Sequence, residues 1–188
     1  MSWIKEDPKY ADLANVIKCM SINEEAMHSV WDMGHKISFG SSALTRSQEE
    51  VIATVVSSIN QCKYCTVSHG EYLRQATEDP EMASVVMQDY GDAVFDDETL
   101  AIVEYVEKLT KEPSEMTEND IQTLRKTGLS DNQILSVVMI TAMFAFMNRL
   151  ADGLGVEIED QKGTFVNSWL RASENTSSWL HYQPKEKV

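Results

Sequence analysis

A ten-residue segment carries the side chains of this sequence that are best suited to thiol chemistry. Residues Asn60 to His69 read NQCKYCTVSH, so two cysteines three positions apart are followed four positions later by a histidine. Successive residues of an α-helix turn by about 100°, which places Cys62, Cys65 and His69 within about 60° of one another. The three side chains are therefore predicted to share one face of a helix and to form one site.

The two cysteines differ in their distance from the histidine. A rise of about 1.5 Å per residue puts His69 about 6 Å along the axis from Cys65 and about 10 Å from Cys62. A helix N-terminus favours a thiolate at Cys62, but a lower thiol pKa raises the rate only about threefold, because nucleophilicity falls with it. Protonation of a peroxide's leaving group contributes ~10²–10⁴-fold. These magnitudes favour Cys65 as the nucleophile, with Cys62 placed to close a disulfide.

A histidine that relays protons needs a second group to hold and recharge it. Two acidic residues, Glu49 and Glu50, lie in the first turn of the preceding predicted helix, whose other face is apolar. Glu50 is the better candidate and Glu49 is its rival. The spacing does not separate them, since carboxylates are favoured in the first turn of a helix in any case.

Taken together, Glu50, eleven intervening residues, the CxxC motif and His69 resemble the active-site pattern of the alkylhydroperoxidase D (AhpD) branch of the carboxymuconolactone decarboxylase family. The run from Asn148 to Gly155, NRLADGLG, is similar to a helix end in peroxidase-related members of that branch. The resemblance covers residues 24 to 156 in organisation. It implies an AhpD-like helical domain, homo-oligomers that are often trimers or hexamers, and thiol-dependent reduction of hydroperoxides.

By position, the resemblance also implies a role for each residue of the motif. Cys65 is the implied peroxidatic thiol and Cys62 the implied resolving thiol, while His69 and Glu50 form the implied proton relay. This chain departs from the pattern at Tyr64, where AhpD has a second histidine between the cysteines. We therefore expect the proton path or the physiological reductant to differ. Decarboxylase members do not depend on this cysteine pair, so decarboxylation is not expected.

The cysteine pair has alternatives to redox chemistry, namely metal binding and inert thiols. Zinc needs four ligands, and this segment offers the two cysteines, His69 and at most Glu50, so no metal is expected. No glycine-rich nucleotide-binding motif is present, so no cofactor is expected, and electrons are expected from a small dithiol or a partner protein. Cys19 stands alone on another predicted helix and is expected to be a small core residue. A general dithiol-disulfide oxidoreductase and a non-catalytic redox-sensing oligomer stay open as alternatives to a peroxidase.

The elements that must position these residues are predicted to be helices. Apolar residues recur with helical spacing in nearly every segment, and strand signals are missing, so the fold class is all-α. One domain is predicted over residues 1–188, with a core over about 24–156 and a C-terminal helix or arm over 157–188. The helix with the CxxC motif is predicted to begin between Asn60 and Cys62 and to run to about Ala76.

Capping residues and prolines predict where several other helices begin. The helix from about Asp131 to Asp152 is apolar on all sides at its centre, so it is expected to be buried all round. Capping boxes or N-terminal prolines mark five predicted helix starts. These are Asp7 with Pro8, Ser21 with Glu24, Thr45 with Gln48, Asp79 with Pro80, and Ser130 with Gln133.

Composition excludes several classes of partner. The 188 residues carry a formal net charge of −14, and without a basic stripe neither nucleic acid nor an anionic membrane surface is an expected partner. The longest nearly apolar run, Val137 to Met147, is shorter than the roughly 20 residues of a membrane span, and no signal peptide is evident. Three cysteines, with no disulfide framework, indicate a reducing compartment, so the expected location is the cytoplasm.

Overall fold

The structure is a computed structural model that describes residues 2–158 of the chain. Within these residues the fold is all-α, as the sequence predicts, with no β-strand. Apart from its first two residues, the C-terminal helix or arm predicted over 157–188 lies outside the described residues. The α-helices are α1 (Asn15–Lys18), α2 (Glu24–Ile37), α3 (Arg46–Ile59), α4 (Lys63–Thr77), α5 (Pro80–Asp89), α6 (Asp97–Lys111), α7 (Glu118–Lys126) and α8 (Asp131–Gly153). Turns of 3-10 helix lie at Pro8–Tyr10, Tyr90–Asp92 and Pro113–Glu115.

Helix α3 is the centre of the described structure. It packs against α4, α5, α6 and α8, and every residue from Gln48 to Ser57 is buried. Its start is the predicted capping box, in which the Thr45 hydroxyl accepts from the Gln48 N–H and the Gln48 side chain accepts from the Thr45 N–H. A helix enclosed on all sides holds its polar side chains at fixed positions, so α3 is a rigid platform for the acidic pair.

Three residues connect α3 to α4 and make the two helices a tight hairpin. Gln61 adopts the left-handed conformation, with φ 58°, and the Cys62 N–H donates to the Ser57 carbonyl over 3.0 Å. Cys62 is the N-cap of α4, which confirms the predicted start of this helix. Because the chain reverses here, the first two turns of α4 lie alongside the C-terminal half of α3.

The buried apolar side chains form two clusters. One is built mainly from α3, α6 and α8 and includes Phe144. The other joins the N-terminal segment, α2 and the start of α4, and it includes Cys62, Cys65 and Tyr72. The cysteine pair is thus part of a core and not of an exposed loop.

Two predicted features of the N-terminal region are wrong. The single helix expected from Asp7 is a 3-10 turn followed by the short α1, separated by extended backbone at Ala14. This break lets the buried Asn15 amide donate to the Glu157 carbonyl over 2.8 Å, a contact that no local pattern signals. The N-cap of α2 is Asn23 and not Ser21, because the Ser21 hydroxyl accepts from the Asp7 N–H instead.

Helix α8 begins at the predicted Ser130 capping box, but it is not buried all round. Leu135, Met139 and Phe146 are exposed on one face, while the opposite face packs against α3 and α6. Among the described helices, α8 alone is long and apolar enough to cross a membrane, yet half of that stretch is buried in the fold. This pattern is typical of the core helix of a globular domain.

Close packing of α4 on α5 depends on a glycine. A Cβ atom built at Gly70 would lie 2.1 Å from the sulfur and 2.3 Å from Cγ of Met87. Both distances are far below van der Waals contact, so any larger side chain displaces Met87 or the helix that carries it.

The substitution Gly70→Ala should therefore lower the free energy of unfolding by about 1 kcal/mol, the low end of the range for overpacking, because the close atoms belong to the far end of the flexible Met87 side chain. Urea denaturation followed by circular dichroism measures the change. Gly153→Ala is the matched control, since nothing lies within 4 Å of a Cβ at this helical position. Adding Met87→Ala to Gly70→Ala should recover part of the loss, and a Gly70→Ala protein as stable as the wild type would contradict the packing argument.

Candidate active site

The two cysteines lie together at the N-terminus of α4. Cys62 is fully buried and Cys65 is 3% exposed, and both thiols are free. A hydrogen bond from the Cys65 side chain lowers the pKa of Cys62, against the opposing effect of burial. The same hydrogen bond, together with burial and the charge on Cys62, raises the pKa of Cys65 well above its usual value. The two thiols thus shift each other's pKa in opposite directions, and Cys62 is the more acidic of the pair.

The histidine of the motif is hydrogen-bonded to one acidic residue of α3. His69 Nδ1 lies 2.7 Å from Glu50 Oε2, and the two side chains are 9% and 1% exposed. An imidazole that donates from Nδ1 to a carboxylate presents Nε2 on the opposite side of its ring. His69 also lies one helical turn after Cys65 on α4. The structure therefore brings together Glu50 and His69 beside the dithiol.

Aromatic rings hold the imidazole in place. Phe144 of α8 meets the His69 ring edge-on, with centroids 4.4 Å apart. Tyr72 of α4 lies 5.6 Å away and Phe39, which follows α2, lies 6.4 Å away. Because Phe144 and Tyr72 belong to different apolar clusters, His69 occupies the seam between them. A ring enclosed in this way has little freedom to leave its carboxylate partner.

Glu49, the other acidic candidate, contacts backbone N–H groups and Arg46 and not His69. Its fully buried carboxylate accepts from the Gly40 N–H at 2.7 Å and from the Ser42 N–H at 3.3 Å. Arg46 donates to the same carboxylate from Nη1 at 2.8 Å. Glu49 thus ties the loop between α2 and α3 to the start of α3. The two acids that spacing left equivalent are separated by the structure, and Glu50 is the one in contact with His69.

Sequence reasoning missed a buried asparagine at the dithiol. The Asn148 amide donates to the Ser57 hydroxyl at 3.0 Å and accepts from the Asn60 amide at 2.9 Å. Its hydrogen bond to Cys65 lowers the pKa of that thiol and offsets part of the rise. The signal was available, since Asn148 opens the run that resembles the helix end of peroxidase-related proteins, but the resemblance suggested no role for it.

Tyr64, Asp152 and Cys19 have different relations to the dithiol. Tyr64, at the position of departure from the AhpD pattern, is buried within the apolar cluster that contains both cysteines. Asp152, one turn after Asn148, acts on Cys62, where its charge opposes the lowering of the pKa. Cys19 is fully buried, as expected, and its thiol donates to the Val16 carbonyl at 3.2 Å. Among residues 2–158, no group of three or more histidine, cysteine or acidic side chains is placed to hold a metal ion.

Known proteins are similar to this chain in both sequence and fold. Residues 24–108 match the sequence profile described as the carboxymuconolactone decarboxylase family. A solved structure of an uncharacterised peroxidase-related protein from Silicibacter sp. TM1040 is 31% identical, with a TM-score of 0.76, covering 79% of this chain and 78% of that one. A second, from Ralstonia eutropha JMP134 and described as an alkylhydroperoxidase AhpD core, is 25% identical, with a TM-score of 0.79, covering 88% and 95%.

A more distant structure shares the fold alone. The debrominase Bmp8 is 16% identical to this chain, with a TM-score of 0.68, covering 84% of this chain and 86% of that one. A search of proteins with curated functions finds no match.

The different environments of the thiols predict different reactivities in the folded, reduced protein. Burial raises the pKa of Cys19 to about 11, so about one molecule in a thousand carries a thiolate there at pH 8. Iodoacetamide at pH 8 should therefore modify Cys62, whose pKa is lowered, before Cys19, and labelling of Cys19 should increase as the pH rises. Peptide mass mapping over time measures the order. The protein unfolded in urea is the control, in which all three should react, and equal labelling of Cys19 in the folded protein would contradict the assignment.

Proposed function

Since the chain belongs to the carboxymuconolactone decarboxylase family and its structural relatives are AhpD-like peroxidase-related proteins, we propose that it is a thiol peroxidase that reduces hydroperoxides. One observation carries the proposal. A buried dithiol lies one helical turn from an imidazole that is hydrogen-bonded, at 2.7 Å, to a buried carboxylate. This combination supplies a nucleophile, a resolving thiol and a proton carrier in one site.

The first step oxidises Cys65. His69 takes the proton of the Cys65 thiol, and Glu50 stabilises the imidazolium that forms. The Cys65 sulfur attacks the terminal oxygen of the hydroperoxide, so that an S–O bond forms and the O–O bond breaks. The departing alkoxide takes the proton from His69 and leaves as the alcohol. Cys65 becomes a sulfenic acid, and His69 returns to its neutral form.

The second step closes the disulfide. The Cys62 sulfur attacks the Cys65 sulfur, the S–O bond breaks, and the departing hydroxide takes the Cys62 proton to become water. The hydrogen bond already present between the two side chains supports this step, because the sulfur atoms are neighbours before any reaction. Overall, one hydroperoxide and two thiols give one alcohol, one water and one disulfide.

A dithiol reductant, either a small molecule or a partner protein, completes the cycle. Its two thiols reduce the Cys62–Cys65 disulfide and become a disulfide themselves. A reducing compartment is required for this turnover, which supports the expected cytoplasmic location. The expected homo-oligomer stays a prediction.

The pKa directions of the two thiols favour Cys62 as the more acidic of the pair. We nevertheless assign the attack to Cys65, because acidity changes the rate of thiol attack only a few-fold, whereas protonation of the leaving group contributes ~10²–10⁴-fold. His69, the group that can deliver this proton, follows Cys65 by one turn. An acidic Cys62 is favourable for a second function, general dithiol-disulfide exchange, in which Cys62 attacks a substrate disulfide.

Turnover distinguishes the peroxidase from the general oxidoreductase and from a redox sensor. Reduced wild-type protein supplied with an alkyl hydroperoxide and excess dithiothreitol should consume many equivalents of peroxide. Cys65→Ser should abolish this turnover, while Cys19→Ser, the matched control, should retain it. Wild-type protein that consumes no more than one equivalent, or a Cys65→Ser variant as active as the wild type, would overturn the peroxidase proposal. Reduction of insulin disulfides without peroxide turnover would favour the general oxidoreductase.

The relay can be tested at Glu50. Glu50→Gln keeps the shape of the side chain but removes the charge that stabilises the imidazolium. Disulfide formation by a hydroperoxide should still occur but should be slower by about 10²-fold. Quenched-flow mixing, alkylation of the remaining thiols and mass analysis measure the rate. Glu71→Gln is the matched control, since this carboxylate of α4 pairs with Arg74. Equal rates in the wild type and Glu50→Gln would remove Glu50 from the relay.

A further inference from the structure

Two adjacent carboxylates are buried at the start of the relay. Glu49 and Glu50 are both almost completely inaccessible to solvent. Like charges at close range in a buried site repel each other, and without a compensating cation one of them takes up a proton. Whether this acidic pair holds a proton therefore decides whether Glu50 carries the negative charge that stabilises a protonated His69.

Arg46 is the cation that contacts both carboxylates. Its guanidinium donates from Nη1 to Glu49 over 2.8 Å and pairs through Nη2 with Glu50. Burial acts to lower the pKa of Arg46, but the charge of Glu50 and the hydrogen bond to Glu49 outweigh burial and raise it. Arginine therefore stays charged here and leaves the three residues with one net negative charge. That charge is balanced when His69 carries the proton of the thiol.

The same guanidinium also covers two of the rings around the imidazole. It lies 5.3 Å from the centroid of Phe39 and 5.8 Å from that of Tyr72, both of which pack near His69. Arg46 thus contacts two kinds of group that hold His69: the carboxylate bonded to the imidazole and the aromatic rings packed around it. Its side chain is about one-third exposed, so it also closes the solvent side of this cluster.

We propose that Arg46 is a positioning residue of the relay: by pairing with Glu49 and Glu50 together, it keeps Glu50 ionised and directed at His69. The inference rests on the proposed peroxidase function and adds a residue to it. Arg46 does not contact the reacting sulfur or oxygen atoms, and it acts through Glu50.

Removal of Arg46 would affect Glu50 more than Glu49, because the two carboxylates keep different partners. Glu49 accepts from two backbone N–H groups, which stabilise its ionised form. Glu50 has the imidazole as its remaining partner. A proton taken up after removal of the guanidinium should therefore settle on Glu50 and weaken the imidazolium. Replacing Glu49 by a neutral residue at the same time should return the charge to Glu50.

Charged and titratable groups near His69 come from several elements. Arg46, Glu49 and Glu50 belong to α3, while Cys65 and Tyr72 belong to α4. The His35 ring of α2 contacts Phe39 at 5.6 Å. From α8, the uncharged ring of Phe144 contacts His69, and the charge of Asp152 acts on the two thiols. A change in the pH profile on removal of Arg46 therefore reports chiefly on the acidic pair.

The test compares Arg46→Met, Arg46→Lys, Glu49→Gln and the double variant Arg46→Met/Glu49→Gln in peroxide turnover across pH. Arg46→Met should lower kcat by about 10- to 100-fold, with little change in KM, and should change the shape of the pH profile. Arg46→Lys keeps the charge but not the two-pronged geometry, so its kcat should be intermediate. The double variant should recover at least half of the loss on a logarithmic scale. Arg125→Met, which breaks an exposed ion pair of α7, is the control.

If Arg46 had a merely structural role, the double variant would not recover activity. It would lose a second buried contact, and its kcat would be lower than that of Arg46→Met. That result, or a wild-type rate and pH profile in Arg46→Met, would overturn the proposal. If Arg46→Met does not fold, the comparison of Arg46→Lys with the double variant decides: a double variant that turns over peroxide supports charge balance, and an inactive folded one contradicts it.

A second readout does not depend on peroxidase activity. The imidazole N–H proton held by Glu50 should give a slowly exchanging downfield NMR signal in the wild type, assigned by its loss in His69→Gln. The signal should broaden or disappear in Arg46→Met and persist in the double variant. If peroxide turnover fails in the wild type while this pattern holds, the positioning role stands and the proposed function fails. If turnover succeeds and the signal is unaffected by Arg46→Met, the positioning role fails alone.

Discussion

The hydrogen bond between Glu50 and His69 is the contact on which the arrangement of this molecule depends. A carboxylate buried to 1% exposure is stable only with partners that replace water. The imidazole provides one partner and Arg46 another, while Glu49 and its loop hold the guanidinium. Each of these groups depends on the others for its charge balance, so the proposed relay and its surroundings form one interdependent unit across α3, α4 and the preceding loop.

The dithiol is fixed to this unit by the hairpin between α3 and α4. The Cys62 N–H is bound to Ser57, and Asn148 of α8 binds both Ser57 and Asn60. These contacts hold the first turn of α4 at a constant distance from Glu50, so the thiol and the imidazole keep their spacing of one turn. Fixed positions of the proposed nucleophile and proton carrier are what general acid-base catalysis requires. A shared fold does not by itself set the reaction, so function must be argued from this site.

Sequence reasoning captured what depends on local pattern and missed what depends on tertiary contacts. The all-α class, the capping boxes of α3 and α8 and the start of the helix that carries Cys65 and His69 follow from periodicity and spacing alone. The break before α1 and the N-cap at Asn23 do not, because a distant partner captures Asn15 and the Asp7 N–H captures Ser21. Spacing likewise could not separate Glu49 from Glu50, since their directions depend on a loop that precedes α3. Uniform apolarity predicted a fully buried α8, but one face of the helix is exposed, at Leu135, Met139 and Phe146.

The central claim is that Cys65 carries the oxidised sulfur after the O–O bond is broken, and a trapping experiment tests it most directly. In Cys62→Ser, which has no resolving thiol, one equivalent of alkyl hydroperoxide followed by dimedone should place a single adduct on Cys65, identified by peptide mass spectrometry. The converse variant, Cys65→Ser, should give no adduct on Cys62 at a comparable rate. An adduct that forms faster on Cys62 in Cys65→Ser than on Cys65 in Cys62→Ser would contradict the account and would make Cys62 the nucleophile.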